Sequence, residues 1–167
     1  DYELNEIFFH HIIHKKPFVH LKMAQTIDGK LATKSFDSKW ITSKQSRAHV
    51  HELRDGYDAI LVGANTIRHD NPTLTVRKKG KQERAIKRII LSTSGDIDLN
   101  SNIFTDQYSS YTYVVVSKEN NKLKNIIKCP LDSDEKFDLD YLLSILYKEH
   151  KITSLFIEGG QSVHTSF

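Results

Sequence analysis

The chain has 167 residues, which is long enough for one domain with a sizeable core. Its 38% hydrophobic and 27% charged residues are typical of a globular protein, and a net charge of +3 is too small to indicate nucleic-acid binding by itself. The first residues lack the features of a signal peptide, and no apolar run approaches the ~20 residues of a membrane span. A single cysteine, Cys129, allows no internal disulfide, which favours a reducing cytoplasm.

The N-terminal part predicts a helix, a strand and a turn. Apolar residues in 1–16 recur close to helical spacing, so we expect a connecting helix before the domain proper. Pro17 ends this pattern, and residues 18–24 are expected to form the first strand. Asp28-Gly29 then marks a tight turn, from which residues 30–33 return in the opposite direction.

A second helix is predicted in the forties. Thr42 or Ser43 can cap its first turn, because a hydroxyl there accepts a hydrogen bond from an unpaired N–H, and Gly56 suits a left-handed end. Residues 139–150 predict an amphipathic helix, whereas the polar segment 92–110 is predicted to be loop.

The remaining apolar runs predict buried strands. Residues 58–62 are almost continuously apolar, which is typical of a strand covered on both faces. Further strands are expected at 88–91, 113–116 and 155–157. Because strands alternate with helices, the chain is predicted to be an α/β domain with a mostly parallel sheet.

Two of these strands end in glycine, at Gly63 and at Gly159-Gly160. In open α/β sheets, ligands bind outside the carboxyl ends of the strands, where glycine lets the backbone approach a phosphate. Each glycine is a weak signal alone, because strand-to-helix turns use glycine routinely. The GxGxxG spacing is absent, so the common Rossmann form of dinucleotide binding is not indicated.

Several basic residues lie on the predicted second helix and shortly after the strand at 58–62. Arg47, His51 and Arg54 lie at i, i+4 and i+7 and therefore share one face of the predicted helix. Arg77 ends a short predicted TLTV strand. Guanidinium groups bind phosphate through two hydrogen bonds, so a phosphorylated substrate would fit, and the alternative is a solvated basic face.

Four other residues have both a structural and a functional interpretation. Asp70 precedes Asn-Pro and is either a turn former or a carboxylate that faces the ligand cleft. Lys22, on the first strand, would need a partner inside the protein, and Glu158 is either a rim residue or a ligand contact. Trp40, the only tryptophan, is either a core aromatic or a platform for a nicotinamide or pyrimidine ring.

The basic cluster within 78–88 and the nine histidines are weaker indications. The cluster could attract a polyanion, but a solvated loop is favoured because the cluster sits in a Gly-containing segment between two strand-like runs. No aromatic residues interleave with it, as a single-strand-binding surface would require. The histidines include His10, His11 and His14, yet no HExxH or CxxC motif occurs, so no metal site is predicted.

The segments LKMAQTIDGKLA, SKWIT, HELRDGYDAILVGANTIRHDNPTLTVR and FIEGG closely resemble the reductase domain of the bacterial bifunctional deaminase-reductases of riboflavin biosynthesis, the RibD or RibG family. The resemblance covers the chain from Pro17 onward. It implies a dihydrofolate-reductase-like, three-layer α/β fold over 17–167 that is truncated at its C-terminus. Residues 1–16 would then connect to a preceding zinc-dependent deaminase domain, which this sequence lacks.

The resemblance also implies a function, namely NADPH-dependent reduction of 5-amino-6-(5-phosphoribosylamino)uracil to its ribitylamino product. By motif position, the residues expected to line the NADPH site are Ala24, Trp40, Thr66, Asp70, Thr93, Gly160, Gln161, Ser162, Val163, His164, Thr165 and Ser166. The residues expected to contact the substrate are Ser38, Arg54, Leu74, Arg77 and Glu158. Members of the family commonly associate through this domain, so the full-length protein is expected to be a homo-oligomer.

The implied reaction needs both a hydride and a proton. The ribose must open to an imine or carbonyl at C1′ before a hydride can arrive from the nicotinamide, and an acid must protonate nitrogen or oxygen. Asp70 and Lys22 are the expected catalytic groups, with Glu158 orienting the substrate. Lys22 also matches a family position close to the ribose.

Two other functions stay open on the sequence alone. One is a pterin reductase of the dihydrofolate-reductase type, against which affinity for ribose 5-phosphate would argue. The other is a non-catalytic nucleotide-binding or regulatory domain, which would bind NADPH without oxidising it.

Overall fold

The computed structural model describes residues 3–33, 41–77, 80 and 83–167. Within these ranges the helices are α1 (Glu6–His14), α2 (Lys44–Arg54), α3 (Ala64–Asp70), α4 (Asn102–Thr105), α5 (Leu139–Lys148) and α6 (Gln161–Ser166). The strands are β1 (Phe18–Lys22), β2 (Ala59–Gly63), β3 (Lys87–Leu91), β4 (Thr112–Val116), β5 (Ile126–Lys128) and β6 (Ser154–Glu158).

These strands form one sheet in the order β1-β6-β2-β3-β4-β5, and every neighbouring pair is parallel. The predicted α/β domain with a mostly parallel sheet is therefore confirmed. The apolar run that was expected to be covered on both faces is β2, and its first four residues are completely buried. β2 lies between β6 and β3, and apolar side chains cover it from both sides.

Apolar side chains on the two faces of the sheet produce a three-layer arrangement. On one face, Leu146 of α5 and Val163 of α6 pack with Leu61 and other alternate strand residues. On the other face, Ile67 of α3 packs with Ile60 and with side chains from the loops. Successive strand residues point to opposite faces, so one strand supplies both cores.

The start of α2 was predicted correctly, but its end was not. Ser43 caps the helix, since its Oγ accepts a hydrogen bond from the N–H of Ser46 at 3.1 Å. Gly56 does not adopt the predicted left-handed conformation, and the capping residue is Asp55 in the right-handed region. The N–H of Gly56 donates to the carbonyl of Leu53 at 2.9 Å, which closes the helix with a tight turn that needs no positive φ.

The turn at Asp28-Gly29 is present, and Gly29 has the positive φ of 79° that favours glycine. Residues 30–33, which follow the turn, form no strand, so the turn does not belong to a hairpin. The N–H of Thr26 donates to the carbonyl of Lys30 at 2.9 Å and closes the turn. Residues 27–30 are exposed, so the segment has no buried face that would extend this contact into a ladder.

The predicted TLTV strand before Arg77 is also wrong. Val76 makes an isolated antiparallel bridge with Arg84, with N···O distances of 3.0 and 3.2 Å. Leu74 has φ 50°, which lies in the left-handed region and is incompatible with a strand. Residues 71–77 are therefore a loop, which we call the motif loop.

Some short elements were not predicted. The segment 92–110, expected to be loop, contains α4 and most of the 3-10 turn Ser109–Tyr111. The strand β5 at the sheet edge was missed as well. α4 has four residues and β5 has three, which is too short for a hydrophobic period to appear in the sequence.

Arg88 corrects the interpretation of the basic cluster. It was grouped with a solvated loop, yet its side chain is 0% exposed. Its guanidinium binds both carboxylate oxygens of Asp106, at 2.6 and 2.9 Å. The cluster residues that lie outside the described part of the chain are Lys78, Lys79 and Lys81.

The helix predicted within 1–16 is confirmed as α1, but much of its apolar surface points to solvent. Phe8 is 55% exposed, Ile12 and Ile13 are exposed as well, and Leu4 is exposed in the 3-10 turn just before the helix. The opposite side of α1 faces β1, where the ring of His10 packs against Phe18 with centroids 5.6 Å apart.

Candidate functional site

The carboxyl ends of four adjacent strands meet at one edge of the sheet and define the candidate site. Parallel pairing places Lys22 opposite Glu158 between β1 and β6, and Gly63 opposite Leu91 between β2 and β3. Since β6 and β2 are themselves paired, these positions are consecutive along the edge. Residues from four separate segments are thereby brought together where open α/β sheets bind ligands.

The best-defined contact at this edge joins Arg54, at the end of α2, to Glu158, at the end of β6. Nε of Arg54 lies 2.5 Å from Oε1 of Glu158, and Nη2 lies 2.8 Å from Oε2. Nη1 donates to the carbonyl of Thr75 in the motif loop at 3.1 Å. The two charged side chains are only 11% and 14% exposed, so Glu158 is a partnered carboxylate and not a solvated rim residue.

His51 also belongs to this site, although the sequence placed it only on the helical face of Arg47 and Arg54 and not among the ligand contacts. Its Nδ1 accepts a hydrogen bond from the backbone N–H of Arg77 at 3.3 Å. Burial, followed by the positive charges of Arg54 and Arg77, lowers the pKa of His51, while the Glu158 carboxylate opposes this effect. The sequence signal for its place in the site was its helical spacing, because His51 lies three residues before Arg54 and therefore on the same face of the helix.

Arg47, the third residue on that face, is not brought to the same point. Its Nη1 donates to the carbonyl of Thr42 at 2.6 Å, at the opposite end of α2 from Arg54. The shared helical face therefore extends along α2, and only its last turn contributes to the candidate site.

Positive charges outnumber negative ones at this edge. Among the described residues, Lys22, Arg54 and Arg77 bring positive charge to this edge, with Lys22 half-buried and Arg77 exposed, while Glu158 and Glu83, which binds Thr75 of the motif loop, are negative. Since Glu158 is paired with Arg54, the remaining basic groups suit an anionic ligand such as a sugar phosphate.

The motif loop holds an unusual backbone conformation. Asn71 has φ 41° and Leu74 has φ 50°, although neither residue is glycine. For a leucine this conformation costs about 1–2 kcal/mol, so the surrounding structure must stabilise it. Leu74 is 5% exposed and packs in the core, which leaves its backbone as the part that can reach a ligand.

The glycines at the strand ends have different roles. A Cβ on Gly159 would lie 2.9 Å from Cβ of Val163, and one on Gly63 would lie 2.9 Å from Cγ2 of the same valine. These two glycines therefore allow α6 to pack closely on the sheet. Gly160 caps α6, and a Cβ added to it would meet no atom within 4 Å. The open space beside the Gly160 backbone is where a ligand can approach.

Inside α6, hydroxyl groups bind the helix itself. Oγ1 of Thr165 donates to the carbonyl of Gln161 at 2.8 Å, and Oγ of Ser166 donates to that of Ser162 at 2.9 Å. Nδ1 of His164 is buried without a hydrogen-bond partner in the described part of the chain. Together with the buried Val163 side chain, this leaves the backbone of the first turn as the part of α6 best placed to meet a ligand.

The other predicted cofactor residues lie at this edge or near it. Ala24 and Thr93 each follow a strand by two residues, and Thr66 is in the first turn of α3. Asp70 ends α3, about 9 Å along the helix axis from its first residue. The predicted residues that lie outside the described part of the chain are Ser38 and Trp40.

Two further results concern metals and membranes. Over residues 3–33, 41–77, 80 and 83–167, no group of three or more His, Cys, Asp or Glu side chains is placed to hold a metal ion. Nor do those ranges contain a helix that is long and apolar enough to cross a membrane. Cys129 is buried, and burial is the main reason that its pKa is raised to about 11, which keeps the thiol protonated.

Together, these features define an α/β domain of the dihydrofolate-reductase-like class, with a basic candidate site at the carboxyl edge of its parallel sheet. Residues 17–167 match the family described as the RibD C-terminal domain, and the chain belongs to that family. This is the reductase domain of the RibD riboflavin biosynthesis proteins, so the identification from sequence motifs is confirmed.

Individual relatives agree with this assignment. The riboflavin biosynthesis protein RibD of Aquifex aeolicus (strain VF5) is 41% identical over 167 residues, which cover 99% of this chain and 46% of the relative. The crystal structure of a deaminase/reductase from Thermotoga maritima superimposes with a TM-score of 0.79 at 35% identity, covering 99% of this chain and 45% of that one. Acinetobacter baumannii RibD gives a TM-score of 0.82 at 26% identity, covering 99% and 46%. The chain thus spans about half the length of these relatives.

Proposed function

We propose that the protein containing this chain reduces 5-amino-6-(5-phosphoribosylamino)uracil to its ribitylamino product, with NADPH as the reductant. The observation that carries the proposal is the Arg54–Glu158 ion pair beside Lys22 at the carboxyl edge of the sheet. This arrangement offers cations for a phosphate and a fixed carboxylate for hydroxyl groups. The related Thermotoga maritima protein is described as having this reductase activity.

The site residues fit a dinucleotide. The open space at Gly160 lets a pyrophosphate approach the backbone of the first turn of α6, and Thr66 lies in the corresponding turn of α3. Ala24 and Thr93 would contact the cofactor from the ends of β1 and β3, and Trp40 would pack on a ring. When bound, NADPH would supply the hydride.

The substrate would lie beside the ion pair. Arg77 would bind the phosphate, and its backbone is held by His51. Glu158 would accept hydrogen bonds from substrate hydroxyl groups while Arg54 fixes its orientation. Ser38 and the backbone of Leu74 complete the proposed contacts.

Asp70 and Lys22 are the proposed proton donors. As the hydride reaches C1′ of the ring-opened sugar, one of them would protonate the nitrogen or oxygen that was doubly bonded to this carbon. Lys22 lies in register with Glu158 and therefore at the same strand edge as the ion pair. Glu158 would orient the substrate and not donate the proton.

The proposal includes the domain organisation. Residues 17–167 would be the reductase domain, and residues 1–16 would connect it to a zinc-dependent deaminase half. The exposed apolar side chains of α1 support this role, because a helix that carries them on its surface is suited to packing against another domain. A homo-oligomeric full-length protein and a cytoplasmic location stay predictions.

The test is NADPH oxidation, followed by nicotinamide absorbance, with substrate generated freshly by a separate deaminase. Loss of absorbance that depends on the substrate would support the reductase assignment. Thermal stabilisation by NADPH without oxidation would instead favour a nucleotide-binding domain. Ribose 5-phosphate should also stabilise the protein, whereas a pterin reductase would have no reason to bind it.

A further inference from the structure

Side chains from outside the candidate site hold the motif loop by its backbone carbonyls. The carbonyl of Asn71 accepts a hydrogen bond from Nδ2 of Asn102 at 2.8 Å. The carbonyl of Thr73 accepts one from Nη1 of Arg88, also at 2.8 Å. These contacts take the place of the sheet ladder that the loop lacks, because each satisfies a polar backbone group that no strand partner reaches.

The guanidinium of Arg88 is hydrogen-bonded through all three of its nitrogen atoms. It is completely buried, and its Nε donates to Oγ1 of Thr112 at 2.9 Å. Nη2 donates to the carbonyl of Ile103 at 2.9 Å, and the carboxylate of Asp106 neutralises the guanidinium. A buried arginine with this many partners has no freedom to shift, so the position of Thr73 is fixed by the core between β3, β4 and α4.

Asn71 and Asn102 bind each other reciprocally. In addition to the carbonyl contact, Oδ1 of Asn71 accepts a hydrogen bond from the backbone N–H of Asn102 at 2.8 Å. Asn71 is one of the two left-handed residues of the loop. The pairing therefore stabilises the left-handed backbone at Asn71, a conformation that is unfavourable without such contacts.

We propose that Arg88 and Asn102 are positioning residues that set the affinity of the site for its phosphorylated substrate. This inference rests on the proposed function, since it assumes that the motif loop contacts that substrate. Neither residue touches the ligand. Each acts through a carbonyl of the loop, so that the strained backbone at Leu74 and the guanidinium of Arg77 stay in the arrangement that binds it.

Asn102→Ala tests the proposal on the whole chain, because the residue is exposed and its loss leaves the core intact. The probe is ribose 5-phosphate, with its Kd measured by calorimetry well below the unfolding temperature. We expect the Kd to rise about tenfold, which corresponds to ~1.4 kcal/mol. The matched control is Asn100→Ala, which removes an exposed amide that binds Asp98 and not the loop. Its Kd should stay within about twofold of the unchanged protein.

Arg88→Lys is the second variant, since it keeps the charge and loses the planar set of donors. It should raise the Kd for ribose 5-phosphate as well as lower the unfolding midpoint. If both variants lower the midpoint but keep the Kd, the residues are merely structural and the inference is overturned. If the unchanged protein binds no ribose 5-phosphate, the proposed function fails and this inference fails with it.

Discussion

Arg54 and Glu158 are 104 positions apart in the sequence, yet their side chains form two hydrogen bonds, of 2.5 and 2.8 Å. The pair joins the last turn of α2 to the carboxyl end of β6. None of the side chains of α2 is fully buried, so this polar contact is a defined link between the helix and the sheet. The same pair also fixes the carboxylate at the centre of the candidate site.

Glu158→Gln should therefore weaken both folding and binding. The amide cannot neutralise Arg54, which would be left largely buried without its charged partner. We expect the free energy of unfolding to fall by about 2 kcal/mol in urea titrations. Affinity for ribose 5-phosphate should fall as well, because Arg54 would no longer be held in place.

The matched control is Asp55→Asn, which breaks the Arg84–Asp55 pair. This pair has a similar distance of 2.6 Å, but its side chains are 46% and 30% exposed. Solvent screening should limit the loss to less than about 1 kcal/mol. Equal losses in the two variants would show that burial of the Arg54–Glu158 pair has no special effect on stability.

The lowered pKa of His51 leads us to expect a specific dependence of stability on pH. Its folded-state pKa is lowered, mainly by burial and then by Arg54 and Arg77, so below about pH 6.5 the unfolded chain binds a proton more readily than the folded one. Stability from this group is therefore fully present above that pH and is lost as the pH falls through it. His51→Asn, whose Oδ1 can still accept from the N–H of Arg77, should reduce the loss of unfolding free energy between about pH 7.5 and 5.5.

As a reference, the stabilities of the unchanged protein and of His51→Asn are compared at about pH 8, where the imidazole is neutral in the unfolded chain as well. Any difference in stability there reports packing and not protonation. An unchanged acid-side slope in the variant would mean that His51 contributes nothing to the pH dependence.

Gly159 and Gly160 give a matched pair for separating packing from binding. Gly159→Ala would place its Cβ 2.9 Å from Cβ of Val163, so α6 must shift, and we expect a loss of about 1–3 kcal/mol. Gly160→Ala meets no atom within 4 Å and should leave the urea midpoint nearly unchanged. If a cofactor phosphate approaches this backbone, the second variant should nevertheless weaken NADPH binding by several-fold. Unchanged binding would place the phosphates elsewhere.

The sequence predicted the parts of the fold that depend on hydrophobic period. The run at 58–62 identified β2 because a strand buried on both faces needs apolar residues at every position. Thr42 or Ser43 was expected to start α2, and Ser43 does so because its hydroxyl satisfies a backbone N–H locally. Both signals lie within a few neighbouring residues.

The motif loop shows what the sequence could not provide. Thr73 to Val76 alternate like a strand, but carbonyls of the loop accept hydrogen bonds from Arg88 and Asn102, which lie far away in the chain. Arg54 and Glu158 were each chosen as ligand contacts by family resemblance, and nothing local indicated that they bind each other. Interactions between distant residues fixed these features, so local patterns could not reveal them.

Asp70 provides the sharpest test of the proposed chemistry. Asp70→Asn keeps the shape of the side chain but removes its exchangeable acid proton, so turnover at saturating NADPH and substrate should fall by more than about tenfold while the Kd for ribose 5-phosphate stays unchanged. Asp134→Asn, which alters a carboxylate exposed in a distant turn, is the control and should keep full turnover. A smaller loss in Asp70→Asn would exclude Asp70 as the general acid. A large loss in Lys22→Met would then assign the proton to the lysine, because its ammonium lies at the same strand edge as Glu158.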